Sequence, residues 1–423
     1  MLKKTLFHII LENLTLGSKI LVNLLLVKLL IHKFGVIGFG DFSFWMAISL
    51  YIILLLDAGV QLSAPAIIGP LLQKKDYIAI RNSFLELLLV RLFVGILLLL
   101  VLISLPILLS HSPAVQNILM NTVLFNTLVL VIINGILNSN WAIVSFNAYR
   151  LRKLDIGAMF TWLISAFFAS SVYAVILLRF LLFNIKDLII LVILYKNINK
   201  NIPFHNKKLN LKIFKINNIL RALNSTLFNF LTSLFSTGYR KLLLILPKFI
   251  LDPYLYGIFS GVYKLITLLE EVQSTITRPM VSLLAKIKNI KKYWHYVITS
   301  TIGIIILINL GILGMHIKPL LSLILDKIVF DKHYIQFIHL LWPVMLLWGI
   351  TGHINVTFLV LKRLDKPLTL VMFIKVAMLL LFFLINSITI IQRLVFLAIV
   401  AELINLVAIF YFVLKNYRIN IRL

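Results

Sequence analysis

Thirteen charged side chains interrupt the long apolar runs of this chain: Glu12, Lys19, Lys28, Asp57, Glu86, Arg91, Arg240, Lys241, Lys264, Glu270, Glu271, Lys375 and Glu402. Seven are cations and six are anions. In hydrocarbon such groups cost a few kcal/mol each even on the lenient insertion scale, so they need partners or water. Gathered round a wet cavity, the cations would neutralise an anionic head group and the carboxylates would take up a proton or Na+. Paired with one another, they would only hold helices together.

Spacing sorts them. Glu12 and Lys19 are seven residues apart, as are Lys264 and Glu271, so each pair shares a helix face to within about 20°. Arg240 and Lys241 are adjacent and cannot both look into one cavity. Lys28, nearly opposite Lys19, and Lys375 read as cations that snorkel to the interface. Asp57, Glu270 and Glu271 suit either the head-group level at a helix end or a path. The deeper set, Arg240, Lys19, Glu12 and Arg91, is expected to face a water-filled, substrate-holding cavity, with interhelical salt bridges as the alternative. Asn138, Asn140 and Asn147, and His353 with Asn355, read mainly as hydrogen-bonding glue between helices. Trp141 suits an interfacial belt.

Other chemistries are excluded. Cysteine is absent, which removes thiol nucleophiles, disulfides and Cys-containing zinc sites. No phosphate loop, H-E-x-x-H zinc helix or G-x-S-x-G elbow occurs. ATP hydrolysis by this chain is therefore not expected.

The elements that must position these charges follow from composition. Hydrophobic residues make up 61% of the 423, charged residues 13%, and mean hydropathy is +1.05, which leaves a soluble fold no surface to show water. The apolar runs approach the roughly 20 residues that cross a bilayer as helix. Twelve spans are expected, at 7–31, 42–66, 83–108, 114–139, 155–178, 180–197, 219–246, 257–282, 293–316, 334–360, 367–391 and 393–414, with a tight turn at Arg179. Lys3 and Lys4 lead into a first helix that carries Glu12, Lys19 and Lys28 and is read as retained, not as a cleaved signal.

The net charge of +27 belongs to topology, not to nucleic acid. One side of the membrane receives 26 Lys and Arg in its connections and the other 8, so both termini are expected to be cytoplasmic. The chain then divides into a six-helix bundle at 1–197, a basic linker at 198–218 and a second six-helix bundle at 219–423.

An internal repeat supports two halves. Phe39-Gly40-Asp41-Phe42-Ser43 and Tyr256-Gly257-Ile258-Phe259-Ser260 each follow the first span of a half as an aromatic-Gly-x-Phe-Ser turn. Asp57 then precedes Val60-Gln61, and Glu270-Glu271 precede Val272-Gln273; Pro65 and Pro279 follow. With six spans per half the copies enter the membrane in the same direction, the parallel-repeat arrangement of transporters.

The stretch Phe34-Gly35-Val36-Ile37-Gly38-Phe39-Gly40-Asp41-Phe42-Ser43, followed by Leu54-Leu55-Leu56-Asp57-Ala58-Gly59-Val60, resembles the opening of the O-antigen and polysaccharide flippases. These belong to the multidrug, oligosaccharidyl-lipid and polysaccharide exporter superfamily. Gly238-Tyr239-Arg240-Lys241 before Tyr256-Gly257 is similar to the family's seventh span, and Trp141 ahead of Arg150-Leu151-Arg152-Lys153 fits as well.

The resemblance implies an all-α polytopic membrane protein of about twelve helices in two related six-helix bundles. It implies a transporter and not an enzyme, with no catalytic residues, no metal and no cofactor. It would move a polyprenyl-diphosphate-linked oligosaccharide, the repeat unit of O-antigen in lipopolysaccharide or of a related surface polysaccharide, across the inner membrane by alternating access. Arg240, Lys19, Arg91 and Lys264 would bind the substrate, and Glu12, Asp57 and Glu271 would couple movement to H+ or Na+. Lipid-linked oligosaccharide, membrane lipids and other polysaccharide assembly proteins are the implied partners, and nucleic acid is not. Acidic residues nearly match the cations here, a departure from a strongly positive cavity. The alternatives are a membrane glycan polymerase or ligase, or a drug or cation antiporter of the same superfamily.

Overall fold

The computed structural model describes residues 2–108, 122–146, 148–202, 216–284, 290–354, 370–378, 380 and 391–421. Every regular element among them is helical: α1 Leu2–Asp57, α2 Val60–Lys74, α3 Tyr77–Leu108, α4 Thr122–Leu137, α5 Asn140–Ser145, α6 Arg152–Phe168 and α7 Val172–Lys200, then α8 Ile216–Ile245, α9 Pro253–Leu284, α10 Ile290–Met315, α11 Lys318–Leu325, α12 Lys332–Ile354 and α13 Ile391–Ile421. Residues 370–378 are also helical.

The helices are apolar where they meet no protein. On α10, Ile298, Ile302, Ile306, Leu310 and Leu313 are exposed at intervals of three or four, a single stripe. Ile304, Ile308 and Met315 are buried on the opposite side. An exposed stripe of this composition faces lipid, because in water it would be a large apolar patch.

With its 56 residues, α1 would run about 84 Å if straight, far beyond one bilayer core. It is two spans joined at Gly35, whose φ of 71° and ψ of −179° break the helix. The turn expected over 39–43 is thus one residue at 35. Phe39–Ser43 is already helix, with Ser43 Oγ donating to the Phe39 carbonyl at 2.9 Å. Its counterpart Tyr256–Ser260 also lies inside a helix. α9 begins at Pro253, and Asp252 Oδ1 accepts the N–H groups of Tyr254 and Leu255 at 3.0 Å each.

The repeated glycines serve packing instead of turning. A Cβ on Gly40 would lie 3.1 Å from Gly257 Cα, and one on Gly257 would lie 2.3 Å from the Val36 carbonyl oxygen. The two copies of the motif therefore cross backbone to backbone. Lys248 Nζ pairs with Asp41 at 2.6 Å, and the rings of Phe44 and Phe249 meet edge-on at 6.0 Å.

Arg179, expected at a tight turn between two spans, lies inside α7. The break falls at Ala169–Ser171, where Ala169 is extended and Ser171 Oγ accepts the Ala174 N–H at 3.2 Å. Arg179 reads in sequence as a polar interruption, yet its guanidinium lies over the rings of Trp162 (4.9 Å), Phe183 (5.4 Å) and Phe180 (5.6 Å), which host a cation within a helix.

Packing gathers the chain into two compact units: Met1–Leu29 with Trp45–Leu234, and Leu30–Phe44 with Phe235–Leu423. Most of the linker expected at 198–218, residues 203–215, lies outside the described residues, as do 109–121 at the start of the fourth span. In the first unit α4 and α6 pack on α7, and α2 packs on α3 and α5, round a core of Phe84, Trp141, Ile190 and Leu194. In the second, α12 packs on α9, α10 and α13.

Candidate functional site

Three aromatic side chains in the second unit frame the main cation. Tyr239 and Arg240 stand on α8, Tyr263 on α9 and Trp348 on α12. Trp348 meets Tyr239 and Tyr263 edge-on, at 6.2 Å in both cases, and the Arg240 guanidinium lies 5.6 Å from its ring. Tyr263 donates its hydroxyl to the Arg240 carbonyl at 2.5 Å, and Tyr239 donates to the Ala398 carbonyl at 3.0 Å. Arg240 Nη1 pairs with Glu270 at 3.2 Å. The Arg240 side chain keeps 40% of its surface, against 17% for Glu270, so the cation is fixed on one side and open on another. Gly352 sits beside it; a Cβ there would lie 3.5 Å from Nη2.

Behind this group Lys375 is buried and hydrogen-bonded to Glu402, which also accepts from Thr351 Oγ1 at 2.9 Å and Asn405 Nδ2 at 3.3 Å. Lys375 Nζ lies 4.5 Å from the centre of the Tyr239 ring. Snorkelling, expected for Lys375, does not occur, because a carboxylate and an aromatic face meet it inside the unit. Lys28 by contrast is exposed.

Of the other expected site residues, Lys264 and Glu271 are half-buried on α9. They stand about 100° round the helix from Tyr263 and Glu270, which are the residues that meet Arg240. Lys19 is exposed on α1, and the side chain of Glu12 lies outside the described residues.

Asp57 and Arg91 meet in the first unit. Arg91 is fully enclosed; it donates to Asp57 and, at 2.6 Å, to the Asn138 carbonyl, and it lies 5.8 Å from the Trp141 ring. Asp57 ends α1 and also accepts the Gln61 N–H at 3.2 Å across the left-handed Ala58–Gly59 break into α2. Trp141, expected in an interfacial belt, is wholly buried, since it packs on the Arg91 guanidinium and on Phe84 at 5.3 Å.

A second polar group nearby is not marked by residue spacing along any one span. Lys186 bridges Asp155 at 2.7 Å and Asp187 at 2.9 Å. Asp187 accepts the Ser139 N–H and hydroxyl at 3.1 and 2.6 Å. Arg152 joins Asp155 at 3.1 Å and Asn140 Oδ1 at 2.6 Å. The span expected at 180–197 leaves Lys186 near its outer end, among the eight basic residues of that side. One helix of 29 residues, Val172–Lys200, brings it to mid-span, and the length of that apolar run was the available signal. Asn140 acts here as the glue expected of it, whereas the Asn138 side chain accepts the Asn140 N–H locally at 3.1 Å and meets Arg91 through its backbone carbonyl. His353 acts as glue too, sharing a 2.7 Å hydrogen bond with Ser300 Oγ. Asn147 and Asn355 lie outside the described residues.

No family model and no curated protein matches this chain. Solved structures do. An inward-facing multidrug resistance MATE family transporter of the MOP superfamily aligns with TM-score 0.63 at 14% identity over 94% of both chains. The inward closed lipid II flippase MurJ aligns with TM-score 0.61 at 16% identity, over 96% of this chain and 87% of that one. A MATE structure in its straight conformation gives 0.60 at 14% identity, over 99% and 96%. At these identities the likeness is one of fold, and the chain is an all-α polytopic membrane protein of about twelve helices in two related six-helix bundles, the fold of these transporters.

Proposed function

We propose that this protein flips a polyprenyl-diphosphate-linked oligosaccharide, an O-antigen or related surface polysaccharide repeat unit, across the cytoplasmic membrane by alternating access, with both termini cytoplasmic. The observation that carries the reading is Arg240, a guanidinium anchored by Glu270 and Trp348 yet 40% exposed. A diphosphate cannot cross hydrocarbon unaided, and a planar, permanently charged fork suits its oxygens. Lys19 and Lys264 would add charge along the path. Arg91, whose guanidinium is committed to Asp57 inside the first unit, would meet the substrate only in a state in which that pair is broken. The fold shared with a lipid II flippase supports a lipid-linked substrate.

Coupling to H+ or Na+ would fall to Glu12, Asp57 and Glu271. Asp57 can take part only by exchanging Arg91 for the ion, so the ion would have to favour a state in which that pair is broken.

A drug or cation antiporter is the second reading, favoured by the MATE likeness and by an aromatic frame with an acid in it, which would suit an organic cation. The two readings make opposite demands. For the flippase, Arg240→Ala lowers surface polymer about tenfold to a hundredfold, the worth of one charge-assisted phosphate contact. Lipid-linked repeat units then accumulate on the cytoplasmic side, while membrane-inserted protein stays at its normal level. In an antiporter the polymer is untouched and Glu270→Gln abolishes drug resistance. Normal surface polymer in a deletion strain would sink the flippase reading, and full export by Arg240→Ala would remove Arg240 from the site.

A further inference from the structure

A cavity of about 690 Å³ opens in the first unit between α3, α4 and α7, and none of the residues that line it belongs to the ion pairs described above. Its wall is apolar, with Leu85, Leu88, Leu137, Leu191 and Val192 prominent, and its rim carries Lys196, Asn199 and Lys200 from the last turn of α7. The three rim residues occupy positions i, i+3 and i+4 and so face the same way. Leu188 and Val192 at its mouth are 50% and 42% exposed, which opens it sideways towards lipid. Asn199 Oδ1 is buried and has no hydrogen-bond partner among the described residues. An acceptor shut off from water in this way needs a donor.

We propose that this cavity holds one acyl chain of an anionic glycerophospholipid, with its phosphodiester on Lys196 and Lys200 and a head-group hydroxyl donating to Asn199 Oδ1. A methylene fills about as much space as a water molecule in the liquid, about 30 Å³, so the cavity takes roughly twenty carbons. One acyl chain fits, and a long polyprenyl tail does not. Charge selects the class, since basic pockets between helices at the basic-loop face of a membrane attract anionic head groups. The orphaned acceptor selects within the class, because phosphatidylglycerol brings hydroxyl donors and phosphatidic acid brings no glycerol head group. The bound lipid would brace α3 against α7 at the side of the unit.

The test uses the full-length protein in detergent, with lipid retention read by native mass spectrometry. Phosphatidylglycerol, phosphatidic acid, phosphatidylcholine and undecaprenyl phosphate are titrated separately into wild type, the double variant Lys196→Gln/Lys200→Gln and Asn199→Leu. Both lysines are exposed, so the variant should fold, and its unfolding temperature without lipid is measured as a control. Wild type should retain phosphatidylglycerol in preference to phosphatidylcholine, and the variant should lose about thirtyfold in phosphatidylglycerol affinity with phosphatidylcholine unchanged. Asn199→Leu should narrow the preference for phosphatidylglycerol over phosphatidic acid. Equal retention of phosphatidylglycerol and phosphatidylcholine would overturn the proposal, as would a double variant that binds phosphatidylglycerol like wild type. Tighter, lysine-dependent binding of undecaprenyl phosphate would overturn it in favour of the carrier lipid.

Discussion

Replacing Arg91 with alanine is expected to cost about 3–5 kcal/mol and to leave little folded protein in the membrane, because it strands the Asp57 carboxylate inside the first unit. Arg91 is 1% exposed, and Asp57, at the left-handed break between α1 and α2, is 7% exposed. The Asn138 carbonyl that receives Arg91 would also lose its donor. Removing both charges together should do far less harm. Arg91→Met with Asp57→Leu replaces a paired, desolvated set with apolar bulk, which is often neutral or stabilising when packing is kept. Thermal unfolding of the purified protein in detergent, together with the yield of inserted protein, measures the cycle. A strong recovery in the double variant would identify the pair as a brace. An Arg91→Ala protein that inserts and unfolds like wild type but fails to export would instead return Arg91 to the substrate path.

Gly257→Ala is expected to be nearly as damaging, although it adds one methyl group. The new Cβ would meet the Val36 carbonyl oxygen at 2.3 Å and its carbonyl carbon at 2.9 Å. The obstacle is backbone, which cannot rotate away, so the cost should reach the upper end of the about 1–3 kcal/mol typical of overpacking. The crossing of Val36–Gly40 with Tyr256–Gly257 would be forced apart, and the Asp41–Lys248 pair with it. Gly261→Ala, one turn further along α9, is the control. Its Cβ would find Ile328 at 3.4 Å, an ordinary contact with a side chain, and alanine's better helix propensity should make it neutral or stabilising. Unfolding temperatures of the two variants should therefore move in different directions. Equal shifts would show that the backbone crossing is not what Gly257 provides.

The residues that misled were those whose partners are distant in sequence. Lys375 reads as a snorkelling cation until Glu402 and Tyr239 are brought round it, and Trp141 reads as a belt residue until Phe84 and Arg91 close on it. Arg179 reads as a turn because its three aromatic hosts lie on two helices. Lys186 and Asp187 read as residues of a span end for the same reason, since a turn at 179 puts them within about two turns of the outer surface, whereas the helix Val172–Lys200 has them at its centre. Hydropathy integrates over about 20 residues and locates a span well, but a single charge within a span is judged by who sits beside it. Gly40 and Gly257 stood out correctly as a repeat, yet their role was assigned to turns. Nothing local distinguishes a glycine needed for its φ from one needed for its missing Cβ.

The amino-acid sequence by itself determined the class of this protein. Long apolar runs separated by basic connections must lie in a bilayer as helices, since no other arrangement satisfies their backbone groups there. The repeat and the count of runs determined that the helices form two related halves. Only the tertiary structure decided which of the described intramembrane charges are enclosed with a partner and that Arg240 keeps part of its surface open. Arg91 and Lys375 each meet a carboxylate in an enclosed setting, whereas Arg240 is held by Glu270 and Trp348 with part of its surface free. That outcome depends on interhelical distances of a few ångströms, because the energy of an ion pair in a low-dielectric interior is set by contact and enclosure, and neither is written in the spacing of residues along one helix.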